Sequence, residues 1–256
     1  MDLLDIVARS RDEVYLEVAA KALAELARLG GHVAVDCGCG SRAYASIRGL
    51  IPTSRSMGLD VELVLADLEP SAVRSALAHV GGRAAHGVVC DLSQLPLRPG
   101  RWLGLYGSVL HELRAQGRLE GALAEASRCF AVVAGYDYVD PGGEVEVEAL
   151  SGEVRGRVEA LASMLGERLG HKCRLGLALD ACLQLSLGQP PQHLHFTFTP
   201  DGIAEALARL GLEVRWLKLY DVWGEVVERL SPLGVNIPLK RPLMGRAAWV
   251  AVKEEG

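Results

Sequence analysis

Aromatic residues are scarce in this 256-residue sequence, at 5%, although half of it is hydrophobic. Ala, Leu and Val must therefore do most of the packing. No apolar run reaches the roughly 18–20 residues that a membrane-spanning helix requires. The opening MDLLDIVARSRDEV carries acids early and has no long apolar core, unlike a signal peptide. These absences predict a cytoplasmic protein with no membrane partner. Runs of like charge are missing as well. The 27 basic and 32 acidic residues leave a net charge of −5. Tight nucleic-acid binding usually shows a basic patch, so its lack disfavours DNA or RNA as the main partner. The six cysteines form no CxxC pair. They read as free thiols, mostly small buried apolar residues. The phosphate-loop pattern GxxxxGK followed by Ser or Thr is absent too.

What is present is an alternation of short apolar runs and helical periods. Val14, Val18, Ala22, Leu26 and Leu29 recur at helical spacing and predict a helix over 11–29, closed by Gly30 and Gly31. Strands are predicted over 32–36, 61–66, 84–90, 102–107 and 130–139. Helices are predicted from 41, over 70–79 and over 119–129, with a loop over 50–60. Strand–helix alternation argues for a parallel sheet with helices on both faces. It breaks at residue 142. Helical stretches over 153–169 and 177–186 then suggest an inserted cap over 142–197. Regularity returns at Thr199-Pro200, where a threonine can cap a helix with proline at its first position. Strands over 212–221 and 246–253 complete the pattern. The expected organisation is a core over 1–141, the helical insertion, and the rest of the same core over 198–256.

Three of these strands end in an acid, at Asp36, Asp67 and Asp91. In doubly wound sheets, ligands bind beyond the carboxyl ends of the strands. The first acid opens DCGCGS, where Gly38 and Gly40 can hold positive φ and let a ligand approach the backbone. A strand-to-helix turn also offers unpaired amides. Gly38 to Ala43 fits the dinucleotide pattern GxGxxA only loosely, and an acid in front of the glycines suits a cation better than a diphosphate. Cys37 and Cys39 form a CxC in a tight turn, which is poor tetrahedral geometry, so no metal is expected. His111-Glu112 starts an HExxH pattern that fails at Ala115.

DCGCGS resembles the first motif of class I S-adenosylmethionine-dependent methyltransferases, D/E-x-G-x-G-x-G, with Arg42 in place of the third glycine. Later segments follow in family order: ADLEPSAV, CDLSQLPL, YGSVLHEL and TPDGIAEALARLGLEVRWLKLY. The resemblance covers about residues 12–140 and 197–253. It implies a Rossmann-like, doubly wound, seven-stranded sheet, mostly parallel with an antiparallel last strand. It also implies S-adenosyl-L-methionine as cofactor. By that resemblance Asp36, Gly38, Cys39 and Gly40 form the turn against the cofactor. Asp67, with Leu68 beside it, binds the ribose hydroxyls. Asp91 accepts from the adenine amine, and Leu92 packs on the ring. Ser108 and Tyr15 complete the cofactor side.

The acceptor side is expected around Tyr106, Glu112, Tyr136, His193 and His195, with His111 as a general base of suitable pKa. Each residue also has a plainer reading: Asp36 or Asp67 as a helix cap, Asp91 as a loop residue, His111 as a structural histidine. No NPPY-like tetrad and no Pro-Cys nucleophile appear, which with the acidic charge leans toward a small-molecule methyl acceptor. An RNA or protein methyltransferase and a non-catalytic binding module stay open as alternatives.

Overall fold

A strand that is apolar throughout belongs in the middle of a sheet covered on both faces. The strand β1 (Val33–Cys37) is buried along its whole length. Both β2 (Glu62–Asp67) and β4 (Trp102–Gly107) are buried except at their ends. The others are β3 (Ala85–Val89), β5 (Val132–Val139), β6 (Leu212–Asp221) and β7 (Gly245–Lys253). In the computed structural model, which describes residues 3–81, 85–139, 199–221 and 245–253, they form one sheet of order β3-β2-β1-β4-β5-β7-β6. The first five pair in parallel, and β7 runs antiparallel between β5 and β6. The expected seven strands and antiparallel last strand are observed. The predicted insertion over 142–197 lies outside the described residues.

Helices cover both faces. On one side lie α1 (Leu3–Arg28) and α3 (Pro70–Val80). The spacing of Val14, Val18, Ala22 and Leu26 places them on one stripe of α1, and all four are buried. Gly30, at φ 69°, ends that helix in the left-handed conformation that glycine adopts without strain. On the other side lie α5 (Leu119–Cys129) and α6 (Pro200–Ala208), packed on Phe130 and Trp249. Thr199 caps α6 as expected, its hydroxyl accepting from the Gly202 amide at 3.1 Å.

Two short helices were not legible. The predicted loop over 50–60 instead continues a π-helical turn, Ser46–Leu50, into α2 (Ile51–Ser56). Pro52 looks like a breaker, but it sits in the first turn of α2, where no intrahelical N–H is needed. The helix α4 (Leu110–Ala115) follows β4. Six residues are too few to show an apolar period. Among the described residues no helix is long and apolar enough to cross a membrane.

Candidate active site

The strand order reverses between β1 and β4, so the loops leaving them diverge and open a cleft. It has a volume of about 840 Å³. The turn after β1 forms its floor. Gly38 and Gly40 have φ of 76° and 58°. The third left-handed residue is Ala43, at φ 44°, rather than the residue at 42. A glycine is therefore not needed where Arg42 stands, and Arg42 is an exposed part of the cleft lining, beside Tyr44. Three amides of this turn are already in use. Gly38 and Cys39 donate to the Ala66 carbonyl at 2.8 and 3.1 Å. Gly40 donates to Asp67 Oδ2 at 2.9 Å. The unpaired amides expected from a strand-to-helix turn are not found at these three positions.

Asp36 lies beneath the turn, 1% exposed, and accepts from Ser46 Oγ at 2.5 Å. Burial pushes its carboxyl up to about 6, against the opposing pull of the Ser46 bonds. Asp67 uses its second oxygen to accept from the Glu69 amide at 3.0 Å. Asp91 accepts from the Ser93 amide and hydroxyl at 2.9 and 2.8 Å and pairs with Arg118. The Ser93 bonds hold its carboxyl below the usual range. Leu92 is buried against the core, whereas Leu68 is about half exposed.

The far wall begins at Ser108, a non-glycine residue at φ 54° whose amide donates to the Tyr136 carbonyl at 2.8 Å. Such conformations cluster at functional sites. Val109 follows and packs on Gly38, where an added Cβ would come within 2.5 Å of its methyl. His111 is 4% exposed. Its Nδ1 lies 2.7 Å from Asp137 Oδ1, and its main-chain N–H donates to Asp137 Oδ2 at 3.1 Å. Its Nε2 is 4.0 Å from a Glu112 carboxylate oxygen. Tyr15 and Tyr136 meet edge to face at 4.9 Å between ring centres, and burial raises the Tyr136 hydroxyl pKa well above its ordinary value.

No protein-family model matches the sequence, and no curated protein does. Solved structures do match. A putative sarcosine dimethylglycine methyltransferase from Galdieria sulphuraria aligns with a TM-score of 0.55 at 9% identity, over 93% of this chain and 86% of that one. Magnesium protoporphyrin IX methyltransferase from Synechocystis PCC 6803, solved with bound SAH, gives 0.52 at 12% identity, over 96% and 84%. The chain has the class I methyltransferase fold. The [4+2]-cyclase SpnF shares it, with a TM-score of 0.52 at 13% identity over 88% of this chain and 76% of that one. The reaction must therefore be argued from the site rather than the fold.

Within that methyltransferase fold, the cleft brings together most of the residues picked out from sequence. Tyr15, Asp36, Gly38, Cys39, Gly40, Asp67, Leu68, Asp91, Leu92, Ser108, His111, Glu112 and Tyr136 all line it. Tyr106 does not. It is fully buried in the core, against Cys37 and edge-on to Phe130. Its position near a strand end suggested the pocket, but strand alternation turns it to the α5 side of the sheet. His193 and His195 lie outside the described residues. Asp137 and Arg118 escaped the sequence reading. An acid inside the apolar run FAVVAGYDYV was the available signal for Asp137. Among the described residues, no three of His, Cys, Asp and Glu gather as a metal-binding group.

Proposed function

We propose that the protein is an S-adenosylmethionine-dependent methyltransferase of EC 2.1.1 type, acting on a small-molecule acceptor. The observation that carries this reading is the glycine turn. The amides of Gly38, Cys39 and Gly40 are consumed by Ala66 and Asp67, so these three are not available to cradle a pyrophosphate. A carboxylate, Asp36, stands beneath them. Such a floor suits a ligand with a cationic amino-acid end and disfavours a dinucleotide. Gly40 supports the fit: a Cβ there would meet no protein atom within 4 Å and would project into open space.

In this reading Asp36 and the turn from Gly38 to Gly40 face the amino-acid end of the cofactor. Asp67 takes the ribose hydroxyls, because each carboxylate oxygen that already accepts one N–H keeps capacity for another bond. Asp91 and Leu92 take the adenine, and Tyr15, Cys39, Leu68 and Ser108 form walls. When bound, the cofactor supplies an activated sulfonium methyl. The protein then has to position the acceptor in line and exclude water. His111, with Glu112 and Tyr136, stands on the acceptor side, where an imidazole can take a proton from the attacking atom. The net charge of −5 favours a small acceptor over a nucleic acid.

Calorimetric titration with S-adenosylmethionine and S-adenosylhomocysteine tests the reading on native protein, Asp67→Ala and Gly40→Val. Micromolar binding, about 8 kcal/mol, is expected for native protein. Both variants are expected to lose it. Native protein that binds neither compound, or Gly40→Val that binds both unchanged, would overturn the reading.

A further inference from the structure

Asp137 is 0% exposed and sits among apolar neighbours on β5. Burying a carboxylate is costly unless hydrogen bonds meet it. Here each oxygen contacts His111. Oδ2 accepts the main-chain N–H of His111 at 3.1 Å, and Oδ1 lies 2.7 Å from its ring Nδ1. An ionised carboxylate only accepts, so Nδ1 carries the proton and Nε2 carries the lone pair. The double contact fixes both the tautomer and the rotation of the ring. His111 forms part of the cleft wall beside Ser108, Val109 and Tyr136, and Glu112 lies 4.0 Å from Nε2.

We infer, resting on the methyltransferase reading above, that Asp137 positions His111 as the base of the site, and that the acceptor is a hydroxyl compound methylated on oxygen. A thioether or tertiary amine needs no proton removed. A neutral hydroxyl does, since a phenol such as tyrosine ionises only near pKa 10. A ring pinned by a buried carboxylate is built for that proton. The O–H proton passes to Nε2. The electron pair left on oxygen becomes its bond to the methyl carbon, and the pair of the broken carbon–sulfur bond leaves on sulfur as S-adenosylhomocysteine. The imidazolium then returns its proton to water, so one proton is released per turnover.

The geometry makes Asp137→Asn informative. The asparagine carbonyl must face the His111 main-chain N–H, because only an acceptor serves there. Its amide nitrogen then faces Nδ1 and forces the proton to Nε2. Nitrogen-15 NMR of histidine-labelled protein, alone and with S-adenosylhomocysteine, reads the tautomer directly. Native His111 is expected in the Nδ1–H form and the variant in the Nε2–H form. A second readout is S-adenosylhomocysteine release with phenol, catechol and benzyl alcohol, against aniline, benzylamine and benzyl mercaptan. The hydroxyl compounds are expected to turn over, and Asp137→Asn is expected to lower kcat about 10²-fold or more with KM little changed. A native Nε2–H tautomer, or an unchanged one in the variant, overturns the positioning role. If the variant does not fold, the native tautomer alone decides it. Turnover confined to amines or the thiol, or seen with no probe, overturns the oxygen assignment. Failure of native protein to bind S-adenosylhomocysteine instead defeats the methyltransferase reading, and the tautomer of the ligand-free protein still tests Asp137.

Discussion

Asp36 places a carboxylate where burial opposes its charge. Burial raises its pKa from 3.8 to about 6. Between those values the native protein holds the proton more tightly than the unfolded chain does. The contribution of Asp36 to stability is therefore most favourable below about pH 4 and is lost as the pH rises to about 6. Above that, the buried charge costs about 3 kcal/mol. Asp36→Asn removes the charge and keeps an oxygen for Ser46. It is expected to raise the melting temperature at pH 7 and to change little at pH 4, which thermal denaturation at the two pH values checks. The same substitution is expected to weaken S-adenosylmethionine binding, because the carboxylate faces its cationic end in the proposed mode. Stability gained and function lost at one position is the usual mark of a strained site. This residue was legible because it closes an apolar strand. Asp137 was not, since it gives no sign in one dimension of meeting His111, 26 positions earlier.

At the scale of elements, the central strands are close-packed to the point of excluding a methyl group. Gly135 on β5 pairs with Tyr106 of β4 and Trp249 of β7. A Cβ there would lie 2.4 Å from the Tyr106 main-chain oxygen and 2.6 Å from the Trp249 ring. The backbone of a central strand cannot move aside cheaply. Gly135→Ala is expected to lower the unfolding free energy by about 1–3 kcal/mol, read as a shifted urea midpoint with unchanged slope. Continuous apolar runs made β1, β2 and β4 readable from sequence, and the i, i+4 stripe did the same for α1. The six-residue helices α2 and α4 were hidden because their existence depends on tertiary packing more than on local periodicity. The first of them carries the misleading Pro52. The second carries His111 and Glu112, which their residue types marked although the helix that holds them was not legible.

The whole molecule couples ligand to fold. A ligand that binds only the native state adds about 2.7 kcal/mol at a hundred times its dissociation constant. For a chain of this size that corresponds to a melting shift of roughly 5–10 °C. Differential scanning fluorimetry with S-adenosylmethionine is expected to show it for native protein and not for Gly40→Val. The sheet order also bears on how the protein is made. Although β6 precedes β7 in the chain, among the described residues it pairs with the sheet through β7 alone. During synthesis β5 must keep an open edge, and β6 must wait without a partner, until the seventh strand has left the ribosome. Five parallel strands can assemble early. The antiparallel pair is then expected to dock late, with β7 against β5. Arresting translation just short of residue 245 should trap a nascent chain whose β5 edge is bare as well as that of β3, which is the kind of surface that chaperones recognise and aggregation exploits.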